Sequence, residues 1–90
     1  MKQYVIERDL PGVGGMSKPE LSGAAGVSNA AIEKLSGKVE WQHSYVTDNK
    51  TFCIYRAENE EAVLKHAELS GFPANTISEV KTIIDPTTAG

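Results

Sequence analysis

The sequence predicts a single α+β domain with the element order β-α-β-β-α-β, and three observations carry that expectation. Short β-branched and aromatic runs alternate with two segments of helical periodicity. Helix-start signals stand in front of both helical segments, at Ser17 and at Asn59. Between them, residues 41–56, WQHSYVTDNKTFCIYR, read as a β-hairpin.

Residues 3–8, QYVIER, form the first expected strand and stop at Asp9 and Pro11. The glycine-rich stretch 9–16, DLPGVGGM, reads as a connector. Ser17 and Glu20 have the spacing of a capping box, in which hydroxyl and carboxylate satisfy otherwise unpaired amides, and Pro19 is tolerated in a first turn. Leu21, Ala24, Ala25, Ala31, Ile32 and Leu35 then make one apolar stripe, with Gly37 suited to the left-handed position after the helix. Strands over 39–46 and 51–57 flank Asp48 and Asn49, two residues that accept positive φ in tight turns. The second helix begins after Asn59, has Glu60 and Glu61 in its first turn, carries Val63, Ala67 and Ser70 along one side, and ends at Gly71. Ile77, Val80, Ile83 and Ile84 support a last strand that is interrupted at Asp85-Pro86. This order is that of a ferredoxin-like sandwich, a four-stranded antiparallel sheet with two helices on one face. The other face is left without cover, and a homodimer or higher oligomer is the expected remedy.

At 90 residues there is room for one domain, 1–90, which buries about two thirds of the surface its unfolded chain exposes. A net charge of -3 with scattered lysines and arginines lacks the electrostatic footprint of a nucleic-acid or acidic-membrane partner. The N-terminal apolar run is three residues long, far short of a signal-peptide core or spanning helix, and one cysteine forms no internal disulfide. The expected compartment is the cytoplasm.

The hairpin concentrates reactive residue types, holding the only tryptophan, the only cysteine, one of two histidines and two of three tyrosines. With an even turn, His43 lies opposite Ile54 and Ser44 opposite Cys53, and Trp41, His43 and Tyr45 share a face with Phe52 and Ile54. A bulge that adds one residue brings His43 opposite Cys53 instead, a pair with metal-binding potential. His43 and His66 are the candidate metal ligands, and Trp41, Tyr45, Cys53, Tyr55 and Glu79 the candidate ligand pocket, with Glu40 and Glu68 as further carboxylates. Two histidines fall short of the three donors a metal site needs, which a symmetric dimer would double. The balance for either histidine favours a structural role, and Cys53 reads as a small buried hydrophobe. The glycines of 12–15 match neither phosphate-binding pattern, and Ser44 beside His43 on a strand points to the opposite face, which excludes a hydrolase pair.

His43 to Lys50 (HSYVTDNK), Cys53, His66-Ala67, Gly71-Phe72-Pro73-Ala74, Ser78-Glu79-Val80 and Ile84-Asp85-Pro86-Thr87-Thr88, with ERDLPG at 7–12, resemble the domain-of-unknown-function 4242 family over nearly the whole chain. That family is similar to a small bacterial nickel-binding protein that is ferredoxin-like and dimeric. The resemblance implies nickel or another divalent transition metal as a cofactor, with His43 and His66 matching histidines of the pattern. Where the nickel-binding branch has a second helix histidine in an H-x-x-x-H-G pattern, this chain has Ser70. The resemblance assigns no catalytic residue. Three functions compete: an oligomeric protein binding a metal or small ligand, a dimeric enzyme of monooxygenase or isomerase kind with His43 as base, and a noncatalytic assembly module.

Overall fold

The computed structural model describes all 90 residues, 1–90. Strand β1 spans Lys2–Asp9, helix α1 Lys18–Glu33, strands β2 and β3 Val39–Val46 and Lys50–Ala57, helix α2 Glu60–Ser70 and strand β4 Thr76–Glu79. The sheet order is β2-β3-β1-β4 with every neighbouring pair antiparallel, which is the ferredoxin-like arrangement.

Local signals act as expected at both helix starts. Ser17 Oγ accepts from the Glu20 amide at 3.3 Å and the Glu20 carboxylate accepts from the Ser17 amide at 3.0 Å. Asn59 accepts from the Ala62 amide at 2.9 Å, and Gly71 closes α2 in the left-handed region at φ 78. β4 is shorter than the pattern of isoleucines suggests. Its last tie is the Val80 amide to the Gln3 carbonyl, and because β1 begins at Lys2 only that one residue of strand lies beyond this tie for the chain to pair with. Residues 81–85 therefore leave the sheet, and a short 3-10 turn over Pro86–Ala89 follows.

The hairpin takes the even register at its tip, with His43 opposite Ile54, Ser44 opposite Cys53 and Val46 opposite Thr51. Nearer the core the ladder shifts between Trp41 and His43, where Gln42 is the extra residue of a bulge. A one-residue insertion reverses side-chain parity, so Trp41 lies opposite Tyr55 on the helix-covered face while His43 and Tyr45 occupy the open face. The expectation that Trp41 shares a face with His43 and Tyr45 is thereby corrected. The turn at Asp48 and Asn49 also differs, since neither residue has positive φ. Asn49 is instead engaged by the loop after β1: its carbonyl accepts from the Leu10 amide at 2.9 Å and its side chain from the Gly12 amide at 3.0 Å.

The core lies under the sheet around α2 and the end of α1, built on Tyr4, Ile6, Leu35, Val39, Tyr55, Ala57 and Val63. The first half of α1 buries little. Only Ser28 and Ala31 of this helix are fully buried, and Leu21, Ala24 and Ala25 are half-buried because they roof a cavity. The open face carries half-buried Val5, Phe52, Ile54 and Val80 beside exposed Tyr45.

Candidate functional site

The cavity has a volume of about 550 Å³ and lies between the first half of α1, the helix-covered face of the sheet and the loop after β1. Each wall has a local cause. In β1 the residues on the covered face are Tyr4, Ile6 and Arg8, so strict alternation aims an arginine inward at the strand's end. In α1 Ser28 falls inside the apolar stripe, four residues after Ala24 and three before Ala31. The bulge at Gln42 turns Trp41 toward Tyr55, where the rings stack with centroids 6.3 Å apart.

The loop over residues 9–16 is more than a connector. The Gly14 amide donates to the Asp48 carbonyl at 3.0 Å, and a Cβ at Gly14 would fall 2.7 Å from the Asp48 Cα. Glycine is what permits this close backbone approach, which presses the loop onto the hairpin tip and brings Leu10, Pro11, Val13 and Met16 into the cavity wall.

Polar groups converge at one part of this largely apolar lining. Ser28 Oγ lies 3.1 Å from the Tyr55 hydroxyl and 3.1 Å from His66 Nε2. Arg8 is 2 % exposed and donates from Nη1 to the Pro73 carbonyl at 2.6 Å, an acceptor delivered by the chain reversal at Gly71. Its guanidinium sits against the Tyr55 and Phe72 rings at 6.0 and 5.8 Å. Arg8 Nη2 and His66 Nδ1 are buried without any hydrogen-bond partner. Burial, reinforced by the Arg8 charge, holds the His66 imidazole below its usual pKa, so it is neutral at pH 7. Burial pushes the Tyr55 phenol up, against the pull of Ser28 and Arg8.

Of the residues singled out from sequence, Trp41, Cys53 and Tyr55 line the cavity. Cys53 is buried, with its thiol 3.5 Å from Thr51 Oγ1. Tyr45 and His43 lie across the sheet from it, where the Tyr45 hydroxyl is 3.2 Å from His43 Nε2 beside an open groove of about 330 Å³. Glu79 is exposed on β4 and paired with Lys81 at 3.0 Å. His66 is fully buried behind Ser28. The sheet separates the two histidines, and nowhere do three His, Cys, Asp or Glu side chains gather closely enough to hold a metal. A complete nickel site therefore does not fit within one chain, and the cavity holds no base of the kind expected of His43. Sequence reasoning missed Arg8 and Ser28, although each left a signal: a charged or polar residue at the parity of a buried face.

No helix is long and apolar enough to cross a membrane. No curated protein sequence matches this chain. Among solved structures, that of SCO4226 from Streptomyces coelicolor A3(2) superposes with a TM-score of 0.75 over 91 % of this chain and 99 % of that one, at 21 % identity. That likeness is one of fold. The family model described as nickel responsive protein SCO4226-like matches residues 4–80. The resemblance drawn from sequence to a family similar to a nickel-binding protein thus holds for a nickel-linked family under this description. The chain belongs to the nickel responsive protein SCO4226-like family.

Proposed function

We propose that this protein is a small-ligand-binding protein whose ligand is a mostly apolar molecule held between α1 and the sheet. One observation carries the reading: a cavity of about 550 Å³ walled by apolar side chains with a few convergent polar groups. Ligand sites run from about 300 to 1,000 Å³ and have this composition. Trp41, the only tryptophan, lines it and reports on its contents. Titration with the neutral fluorophore N-phenyl-1-naphthylamine is expected to quench Trp41 saturably at one probe per chain. Ala25→Phe, which fills the roof, is expected to abolish quenching while leaving the circular dichroism spectrum intact. Quenching that is absent, or equal in the filled variant, rules the reading out.

A second reading concerns the metal connection of the family. His43 is exposed beside Tyr45 on the open face, so a second copy of this chain packed there would supply the further donors that one chain lacks. Nickel would then be held between subunits, with His43 as the ligand and His66, buried and engaged by Ser28, outside the site. Calorimetric titration of nickel into the wild type and His43→Ala tests it: a heat lost in the variant supports the reading, and an unchanged heat removes His43 from it. The lone cysteine suits work in a reducing compartment such as the cytoplasm.

A further inference from the structure

The cavity has one charged residue in its lining, Arg8, and no acidic residue anywhere in it. That arginine takes part in no ion pair within the chain. A buried cation is costly unless it is paired and its donors are satisfied, yet Nη1 has only a neutral carbonyl and Nη2 has nothing. We propose that Arg8 makes this cavity a site for an apolar monocarboxylate, whose carboxylate pairs with the guanidinium while its hydrocarbon part fills the space beneath α1. The proposal rests on the ligand-binding reading above and adds the chemical class of the ligand.

The neighbours of Arg8 point the same way. If His66 carries its proton on Nε2, no buried imidazole N–H is left unpaired, and the ring donates to Ser28 Oγ. Ser28 in turn donates to the Tyr55 oxygen, which frees the phenol proton for an acceptor on the ligand. Three hydrogen bonds then run in one direction, toward a negative charge beside Arg8. A carboxylate takes both donors, Arg8 Nη2 and the Tyr55 hydroxyl, as charge-assisted hydrogen bonds.

Charge and donor count favour a carboxylate over a phosphate group. Arg8 neutralises one negative charge, and the lining provides no second cation. The backbone amides of the glycine-rich loop are already spent: Gly12 on Asn49, Gly14 on Asp48 and Gly15 on Gly12. None remains to cradle a dianion. The rest of the wall, including Leu10, Val13, Met16, Leu21 and Trp41, suits a hydrocarbon chain or ring.

Octanoate and octanol, matched in length, separate the two claims when titrated into the full chain at pH 7 with Trp41 fluorescence as the readout. Octanoate is expected to bind at least about tenfold more tightly than octanol, the discrimination that a hydrogen bond to a charged group supplies. Arg8→Met is expected to remove or reverse that preference and Arg8→Lys to restore part of it. Tyr55→Phe should weaken octanoate alone. Equal binding of the two ligands by the wild type, or a preference that survives Arg8→Met, overturns the carboxylate assignment and leaves the cavity reading standing. Should neither ligand nor the neutral fluorophore bind, both readings fall. If Arg8→Met does not fold, the wild-type ratio and the Tyr55→Phe ratio decide the question, equal binding of both ligands by the wild type or an unaltered preference in Tyr55→Phe again overturning it.

Discussion

Ser28 is the point at which helix α1 touches the chemistry beneath the sheet, because one hydroxyl serves both Tyr55 and His66. Ser28→Ala leaves a buried phenol and a buried imidazole without that partner, a loss of about 1 to 3 kcal/mol in unfolding free energy. Chemical denaturation measures it. His66 has a further consequence in pH. Its folded pKa is held below the value near 6.5, first by burial and then by Arg8, so the folded state resists protonation that the unfolded chain accepts. The stability this neutral histidine contributes is complete above about pH 6.5 and is lost as pH falls from there toward the lowered folded value. The slope reaches at most about 1.4 kcal/mol per pH unit. The carboxylates with lowered pKa values, Glu20, Glu79 and Asp85, titrate below pH 4.5 and do not fall in this window. Unfolding midpoints taken between pH 5 and 7.5 should decline toward acid in the wild type and flatten in His66→Gln.

At the scale of elements, α1 and the loop before it form the outer wall of the cavity, facing the sheet. Gly26 is exposed in the helix interior, and a Cβ there meets nothing within 4 Å. Gly26→Ala is therefore expected to stabilise by about 1 kcal/mol, raising Tm by about 4 to 8 °C for a domain of this size. Gly14→Ala has the opposite sign, since its new methyl meets backbone of the hairpin tip rather than a side chain able to move. Its Tm should fall and its ligand affinity with it, because Leu10 and Val13 enter the wall from the displaced loop. Elements whose causes are local were legible in sequence: the capping box of Ser17 and Glu20, the cap at Asn59, the reversal at Gly71 and both hairpin strands. What was hidden depends on partners distant in the chain. The bulge at Gln42 separates Trp41 from His43, Pro73 lies 65 residues from Arg8, and β4 ends opposite Tyr4, close to the start of β1 at Lys2. Composition drew attention to the hairpin histidine, whereas the cavity is organised by an arginine whose inward parity was visible but whose solitude was not.

For the whole molecule, the unresolved balance lies on the face of the sheet that no helix covers. Only 16 of 90 residues are fully buried, a small core for a fold without disulfides or a metal cluster. On the open face, Val5 and Ile54 form one row with His43, and Phe52 lies beside Tyr45, which is 60 % exposed. Ile83, 72 % exposed, borders the groove that runs along this row. A stable interface takes about 800 Å² from each partner, a modest share of the 5787 Å² surface. On β3 the face carries Phe52 and Ile54 between the exposed Lys50 and Arg56, while Glu7, Thr76 and Ser78 make the β1 and β4 side polar, so the apolar patch is centred on β3, where a second copy related by a twofold axis would bury it. Sedimentation equilibrium is expected to give a dimer at micromolar concentration, and Ile54→Lys, which puts a charge in the middle of that patch, a monomer. Because Ile54 lies across the sheet from the cavity, the variant should keep its ligand affinity while losing partner and stability together, visible as a Tm that no longer rises with protein concentration. A wild type that remains monomeric at about 100 μM, or a dimer indifferent to Ile54→Lys, would show that the open face is not where this chain meets its copy.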